Sequence, residues 1–273
     1  MSTLVRVRAP ATSANLGPGF DCAGVALDLW NELEVTESEV EPDLEHLGVR
    51  AFARLASLEG RQFAFSDGIP RERGLGSSAA VIALGLVAAA ALEPRAASPE
   101  ELLAQGVALE GHADNLAPAL AGGVCLTWDG RIARLADDLP AVPIALVPEA
   151  TVSTADARTA LPAEIAHGDA TFTTAHSALL GAAVASRSVD LFAAALADRL
   201  HEPYRASNAP LLQAVRHDLP DGALGVTISG SGPTVIVWAG AEAAATCAGE
   251  LARRYPDVRV MVLSISRKGA HTL

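Results

Sequence analysis

An uncharged and mainly apolar run at residues 79–92 dominates the first half of the chain. It is shorter than the roughly 18 to 20 residues that a membrane-spanning helix needs. Together with Ser77 and Ser78, the run predicts a helix from Ser77 to Leu92. A helix that is apolar all round must be buried, so the rest of the chain has to build a core around it. With 273 residues, 50% of them hydrophobic, the chain suffices for one large domain or two ordinary ones.

The charge balance excludes several classes of protein. The formal net charge is −12, from 20 Lys and Arg against 32 Asp and Glu. Non-specific binding to nucleic acid or to an anionic membrane needs a cationic face, so we expect neither as a partner. Lys268 is the only lysine. This excludes a Walker-type phosphate loop, which needs a lysine directly after its last glycine, and it disfavours a Schiff-base mechanism.

The cysteines indicate the compartment. Cys22, Cys125 and Cys247 lie far apart in the sequence and form no metal-ligand spacing with the histidines. This usage is typical of reduced thiols in a cytosolic protein. The first ten residues carry Arg6 and Arg8 but no apolar segment of signal-peptide length. We therefore expect a soluble, cytoplasmic protein.

Local patterns predict an irregular mixture of strands and helices. Strands are predicted at 4–8, 25–35, 122–128, 144–147, 225–229, 234–238 and 258–264. Helices are predicted at 47–58, 77–92, 99–110, 155–161, 173–186, 189–200 and 241–254. Ser98, Pro99 and Glu101 form a capping box at one helix start. The pattern changes near Pro148, which predicts two mixed α and β domains, 1–148 and 149–273.

A glycine–serine loop leads into the apolar helix. Its glycines let the backbone approach a ligand closely, and successive N–H groups at a helix start attract anions. The serine hydroxyls can bind phosphate oxygens or a metal ion. An ordinary serine N-cap after a glycine turn explains the same pattern. The candidate phosphate loop consists of Pro70, Arg71, Glu72, Arg73, Gly74, Leu75, Gly76, Ser77, Ser78, Ala79 and Ala80.

Two further glycine-rich segments have a similar character. The first, residues 12–21, holds Asn15, two glycines, a proline and Asp21, and it predicts a loop with unusual backbone angles. The second lies between two predicted strands. A hairpin turn alone explains it, but three such loops in one chain favour an anion-binding function. The second segment consists of Ser229, Gly230, Ser231 and Gly232.

A cluster of ligand-type side chains follows the predicted helix 99–110. Two carboxylates, an imidazole and an amide lie within six residues of one another. A lone surface histidine would indicate nothing, but this concentration of groups favours a functional site. The cluster consists of Glu110, His112, Asp114 and Asn115.

Taken together, these segments resemble the GHMP small-molecule kinases, in the form found in homoserine kinases. Residues 7–21 are similar to the first motif of the family, residues 73–80 to its ATP-binding second motif, and residues 228–234 to its third. Residues 110–123, 153–162 and 198–205 are similar to stretches characteristic of homoserine kinases. The resemblance covers nearly the whole chain in order.

The resemblance implies a fold and a reaction. The fold is α+β with two domains: an N-terminal domain with a left-handed β-α-β unit and a C-terminal ferredoxin-like domain. The active site lies in the cleft between them. The reaction transfers the γ-phosphoryl of ATP to the side-chain hydroxyl of L-homoserine, on the way to threonine, and uses Mg²⁺. The resemblance also implies a homodimer.

The resemblance assigns the phosphate and metal ligands. Residues 70–80 and 229–232 surround ATP. Ser77 or Ser78, together with Glu110, holds Mg²⁺. Some members of the family carry this glutamate further from the histidine, so Glu100 and Glu101 are alternatives to Glu110.

The resemblance also assigns the substrate ligands. A carboxylate suits bidentate pairing with arginine, and Arg158 and Arg205 match the family positions. Acceptors for the ammonium and hydroxyl groups follow from the same motifs. Asp21 is nearest in role to the reacting hydroxyl, and Asp114 either orients its neighbours or acts as a base. The predicted acceptors are Asn15, Asp21, His112 and Asn115.

Two other functions stay open from the sequence. One is a GHMP kinase for another small alcohol, and the other is a non-catalytic regulator of the same fold that binds a nucleotide or metabolite. Paired arginines favour a charged amino acid over an uncharged alcohol.

The region 36–68 looks shorter than in the family, which predicts the loss of edge strands from the first domain. Cys22 and His176 stand where relatives often carry serine and arginine.

Overall fold

The computed structural model describes residues 2–93 and 97–273, with the backbone alone at 154–156 and 208. In these residues the chain forms two antiparallel sheets with helices packed against them. Each sheet with its helices is called a unit below. The two units of mixed α and β content confirm the predicted fold class. None of the helices in the described part of the chain is long and apolar enough to cross a membrane.

The first sheet is built around one long hairpin. Its strands are β1 (Thr3–Asn15), β2 (Gly19–Glu37), β3 (Arg61–Asp67), β4 (Val124–Trp128), β5 (Arg131–Ala136) and β10 (His271–Thr272). They follow the order β10-β1-β2-β4-β5, and β3 pairs with the second half of β2. Strand β3, within the region that looks shorter than in the family, pairs with β2 at seven positions, and the loss of other edge strands stays a prediction.

The β1–β2 hairpin extends through a segment predicted as a loop. Register shifts at three places, one of them next to Pro10, let the two strands continue past residues that interrupt regular pairing. The strands end at the Asn15–Gly19 pair, so the turn itself is only three residues long. Asn15, Leu16 and Asp21 have positive φ values of 74°, 48° and 57°. The predicted unusual backbone angles are confirmed, but they lie in and beside a tight hairpin.

Four helices pack with the first sheet. They are α1 (Leu47–Phe52), α2 (Ser77–Leu92), α3 (Pro99–Glu110) and α4 (Leu116–Ala121). The bounds of α2 agree with the prediction, and ten of its residues are buried. The capping box of α3 is also confirmed, since the Ser98 side chain accepts from the Glu101 N–H and the Glu101 carboxylate accepts from the Ser98 N–H. Helix α1 ends at Phe52, six residues earlier than predicted.

The second sheet has the order β7-β8-β6-β9. Its strands are β6 (Val142–Val147), β7 (Ala223–Ile228), β8 (Val235–Ala239) and β9 (Arg259–Val262). The helices are α5 (Thr154–Thr159), α6 (His167–Ser186), α7 (Val189–Ala195), α8 (Glu202–Arg205), α9 (Pro210–His217) and α10 (Ala244–Arg254), with a 3₁₀ turn at Ala206–Asn208. Helix α7 is shorter than predicted, because the Asp198 carboxylate captures the N–H groups of residues 200–202 and starts a new turn.

Sheet membership divides the chain differently from the predicted boundary at residue 148. Strand β6 ends at Val147, yet it lies in the middle of the second sheet, between β8 and β9. Its apolar sequence is buried along most of its length, as expected for a central strand. The last strand, β10, returns to β1 in the first sheet. By sheet membership, residues 142–147 therefore belong with the second unit.

The two units share one apolar core. Its largest cluster runs from the first sheet and α2 through Leu180 and Phe192 to Trp238 of the second sheet. A second cluster lies between the second sheet and helices α9 and α10. The larger cluster is continuous across the two units and therefore packs them against each other.

Candidate active site

A cavity of about 670 Å³ opens between the two units. Both units contribute to its walls, as the resemblance predicts for an active site. Most of the predicted site residues lie together here, although they come from six separate segments of the sequence. They are Asn15, Asp21, Arg71, Glu72, Gly74, Gly76, Ser77, Ser78, Glu110, His112, Asp114, Asn115, Arg158, Arg205, Gly230 and Ser231.

The other predicted site residues lie behind the cavity wall or beside it. Leu75, Ala79 and Ala80 are fully buried and pack into the core. The guanidinium of Arg73 donates to the backbone carbonyls of Pro148 and Glu149, and so attaches the loop to the second unit. These residues support the walls. The predicted site residues that do not line the cavity are Pro70, Arg73, Leu75, Ala79, Ala80, Ser229 and Gly232.

The start of α2 faces the cavity without a side-chain cap. Its N-cap is Gly76, in the left-handed conformation with φ 65°, and no side chain accepts a hydrogen bond from the first turn. Helix α3, by contrast, begins with a complete capping box. The first N–H groups of α2 therefore keep their capacity to donate, and the helix dipole adds positive potential there. The ordinary serine cap considered above is absent, and an anion is the expected partner.

Direct hydrogen bonds join the three glycine-rich segments. The Ser229 hydroxyl donates to the carbonyl of Gly74 at 2.6 Å, and the Asn15 amide donates to the carbonyl of Gly230 at 3.0 Å. The Thr12 N–H donates to the carbonyl of Leu75 in the phosphate loop at 3.1 Å, and the Thr12 hydroxyl donates to the Asn115 side-chain oxygen at 2.8 Å. Each bond joins segments far apart in sequence. The phosphate loop is thus held from both sides, by the hairpin of the first unit and by the turn of the second.

Gly76 is predicted to tolerate no side chain. A Cβ atom there would lie 1.8 Å from the Thr12 hydroxyl oxygen, and Thr12 is fully buried and hydrogen-bonded. Gly76→Ala should lower the free energy of unfolding by about 3 kcal/mol, combining left-handed strain with overpacking. Gly111→Ala is the matched control, because φ is 89° there but the space is open. It should cost only about 1 kcal/mol of strain. Equal losses of the two variants in urea unfolding would contradict this packing.

Ser78 and Glu110 meet at the edge of the cavity. The Ser78 hydroxyl donates to the Glu110 carboxylate at 2.6 Å. Burial raises the pKa of Glu110 above its ordinary value, while the Ser78 hydrogen bond and the nearby His112 partly oppose this. A hydroxyl and a carboxylate beside an anion site are the hard oxygen ligands that Mg²⁺ takes together with substrate phosphates. Among the described residues, no group of three or more His, Cys, Asp or Glu is placed to hold a metal ion.

The alternative glutamates lie elsewhere. Glu100 and Glu101 are in the first turn of α3, whereas Glu110 ends that helix, roughly 15 Å further along its axis. The Glu101 carboxylate accepts from the Ser98 N–H in the capping box. Neither residue lines the cavity. The geometry therefore favours Glu110 among the three predicted candidates.

His112, Asp114 and Asn115 form one hydrogen-bonded group. An ionised carboxylate only accepts, so the His112 Nδ1–H donates to Asp114 Oδ1 at 3.0 Å. The same oxygen accepts from the Asn115 N–H at 2.9 Å. This bond to Asp114 raises the pKa of His112, against the opposing effect of burial. Asp114 is 4% exposed, and its orientation is set by these neighbours.

Asp21 and Arg158 form a bidentate ion pair across the cleft. The Asp21 oxygens accept from the two terminal nitrogens of Arg158 at 2.8 and 3.0 Å. The Asp21 N–H also donates to the Asn15 side-chain oxygen at 3.0 Å. The hydrogen bond to Asp21 raises the pKa of Arg158. The predicted acceptor and the predicted carboxylate ligand therefore contact each other directly.

Arg205 is a buried cation at the floor of the cavity. It is 3% exposed, and its guanidinium donates to the carbonyl oxygens of Ala157 and Gly230 at 3.3 and 3.2 Å. It also lies over the ring of Phe20, 5.1 Å from the centroid. Burial lowers the pKa of Arg205. No carboxylate pairs with it among the residues that the structure describes. A buried guanidinium without a counter-ion is costly, so an anionic ligand is its expected partner.

Several cavity residues have no counterpart in the predictions. They lie directly before α1 and at its first residue, on α2, and in the segment that follows β6. No local pattern predicts any of them as a site residue, although Ser153 belongs to a stretch that resembles the homoserine kinases. Only the folded structure brings them to the cavity. These residues are Glu45, His46, Leu47, Val81, Val152 and Ser153.

Comparison with known proteins identifies the same family as the sequence motifs, over most of the chain. Two family models match, the GHMP kinases N terminal domain at residues 45–123 and the GHMP kinases C terminal at residues 180–257. The chain is 36% identical to the homoserine kinase of Trichormus variabilis, with 96% of each sequence covered. It is 40% identical to that of a Synechococcus species, covering 85% of this chain and 84% of the relative. The crystal structure of homoserine kinase from Cytophaga hutchinsonii has a TM-score of 0.88 at 27% identity, covering 98% of this chain and 97% of that one.

Proposed function

Because the chain belongs to the homoserine kinase family of GHMP kinases, we propose that it phosphorylates the side-chain hydroxyl of L-homoserine with ATP. The protein is an ATP-dependent kinase that acts on an alcohol. The observation that carries the choice of substrate is one cavity with two kinds of anion site. One is the uncapped start of α2, and the other is the pair Arg158 and Arg205.

The phosphate groups of ATP would lie against the glycine–serine loop. The N–H groups at the start of α2 suit phosphate oxygens, and the glycines allow close approach. Ser231 and Gly230, on the opposite turn, line the same space. Backbone donors supply the positive potential that a lysine gives in a Walker loop. A chain with one lysine can therefore still bind the triphosphate.

Mg²⁺ would be held by Ser78 and Glu110, with Ser77 as a further hydroxyl ligand. All three side chains line the cavity, and Ser78 and Glu110 are already in contact. When bound, the ion supplies charge neutralisation on the phosphate oxygens. Burial is the main cause of the raised pKa of Glu110, so a bound cation would stabilise the charged form of this carboxylate.

The amino-acid end of the substrate would lie between the two units. Arg205 and Arg158 would hold the α-carboxylate. A guanidinium carries five N–H donors, so Arg158 can bind Asp21 and a substrate carboxylate together. Asn15, His112 and Asn115 are the remaining polar groups for the ammonium and hydroxyl groups. An uncharged alcohol would leave the buried charge of Arg205 without a partner.

Phosphoryl transfer needs positioning and charge neutralisation more than a strong base. Asp21 would accept the hydrogen bond of the reacting hydroxyl, while its pairing with Arg158 fixes its position. Asp114 would orient His112 and Asn115 through its two hydrogen bonds. Both carboxylates are engaged as acceptors, which favours orientation over proton abstraction as their main role. The homodimer and the cytoplasmic location stay predictions of the sequence.

A coupled assay of ADP release tests the choice of substrate. With L-homoserine, mevalonate and shikimate offered separately, we expect turnover with homoserine at least about a hundredfold above the other two, because only homoserine presents an α-carboxylate and an ammonium group together. Turnover with mevalonate alone would favour a GHMP kinase for another alcohol. No turnover with any of them would favour the non-catalytic alternative.

A further inference from the structure

His201 connects the two substrate-binding segments, although it lines no part of the cavity. It is fully buried directly before α8, the helix that carries Arg205. One ring nitrogen, Nε2, lies 2.8 Å from the carbonyl oxygen of Gly17 in the β1–β2 turn. The other, Nδ1, lies 3.4 Å from a terminal nitrogen of Arg205. Phe20 stacks on the imidazole with 5.0 Å between ring centroids.

The two partners select one tautomer of His201. A guanidinium only donates hydrogen bonds, so Nδ1 must accept from Arg205 and carry no proton. The Gly17 carbonyl only accepts, so Nε2 must carry the proton and donate. A second proton, on Nδ1, would place an N–H group against the guanidinium. Burial also lowers the pKa of His201, which favours the neutral ring, although Asp198 lies 3.7 Å from Nε2 and opposes this.

We propose that His201 is a positioning residue, whose neutral Nε2–H tautomer holds Arg205 at a set distance from the β1–β2 turn, on either side of which lie Asn15 and Asp21. Gly17 lies between these two residues in the turn, and Arg205 is the proposed carboxylate ligand. A small amino acid must contact both sides at once, so their separation decides how well its carboxylate and its hydroxyl are held together. This proposal rests on the proposed function, because it concerns affinity for the same substrate.

Three substitutions at His201 separate the two contacts. His201→Phe keeps the stacking on Phe20 and removes both hydrogen bonds. The amide oxygen of His201→Asn replaces Nδ1 as acceptor for Arg205, and the amide nitrogen of His201→Gln replaces Nε2 as donor to Gly17. We expect His201→Phe to raise the KM for homoserine about tenfold to a hundredfold, as for a lost hydrogen bond to a charged group. The KM for ATP and the kcat at saturating homoserine should change less than threefold.

A comparison of His201→Asn with His201→Gln distinguishes a role in positioning Arg205 from a role in general protein stability. His201→Asn should have a KM for homoserine closer to the wild-type value than His201→Gln, because it keeps the contact to Arg205. This comparison holds even if His201→Phe fails to fold. His217→Phe, on the exposed end of α9, is the matched control and should leave all constants unchanged.

Two results would overturn the proposal. One is an unchanged KM for homoserine in folded His201→Phe, and the other is an equal rise in the KM values for ATP and homoserine in all three variants. Both leave the proposed function intact, provided that the wild-type protein phosphorylates homoserine. If the wild-type protein does not, the proposed function fails as well.

Discussion

Replacing Arg205 by alanine should raise the KM for homoserine about a hundredfold to a thousandfold. Truncating one partner of a buried, hydrogen-bonded charge pair costs about 3–4 kcal/mol, which corresponds to that factor. Arg205 is 3% exposed and donates to two backbone carbonyls, which fix the position of its guanidinium. Arg205 contacts Gly230 of the opposite turn but no residue of the phosphate loop, so the KM for ATP should rise much less than the KM for homoserine.

Two further variants sharpen this prediction. Arg205→Lys keeps the charge but not the planar, bidentate donors, so its KM should fall between those of wild type and alanine. Arg253→Ala, on the exposed face of α10, controls for the loss of a distant arginine and should behave as wild type. Steady-state kinetics with each substrate varied in turn measure all three. If Arg205→Ala changes only the KM for ATP, the carboxylate pocket is assigned wrongly.

The second large effect is expected at the proposed metal ligands. Ser78→Ala and Glu110→Gln should each lower kcat about a hundredfold or more, in the range found when one preorganised electrostatic contact to a transition state is lost. The two residues contact each other at 2.6 Å, so the double variant should lose less than the product of the single losses. Both variants should also need more Mg²⁺ for half-maximal activity, whereas the KM for homoserine should change little.

Glu100→Gln is the matched control for this series. It removes a carboxylate from the opposite end of α3 and lies outside the cavity. Its kinetics and its Mg²⁺ dependence should equal those of wild type. Unchanged kinetics in both Ser78→Ala and Glu110→Gln would remove these residues from the site. A large effect of Glu100→Gln would reinstate the alternative glutamate.

Local chemistry made parts of the fold predictable. The bounds of α2 follow from an uncharged run between a glycine loop and Glu93, and α3 follows from its capping box. Each of these signals acts within a few residues. The glycines before α2, Gly74 and Gly76, have positive φ values, a conformation that glycine adopts without steric cost. Loops with strong local signatures lie together at one cavity, and their roles in binding stay predictions.

Other features depend on partners that are distant in sequence. The β1–β2 hairpin continues through Pro10 because bulges absorb the irregular positions, and bulges leave no reliable mark in one strand alone. The ion pair of Asp21 with Arg158 spans 137 positions. His201 contacts Gly17 across 184 positions. Its residue type is visible in the sequence, but its tautomer follows only from the two partners that the fold supplies.

The central claim is that one cavity transfers phosphate from ATP to the hydroxyl of an amino acid. Phosphorus NMR of the reaction mixture tests it most directly, with L-2-aminobutyrate as a substrate analogue that lacks the hydroxyl. With L-homoserine, we expect one phosphomonoester for each ADP formed and no excess inorganic phosphate. With 2-aminobutyrate, we expect no phosphomonoester and at most slow hydrolysis of ATP. Equal release of inorganic phosphate with both compounds, and no phosphomonoester with homoserine, would contradict the account.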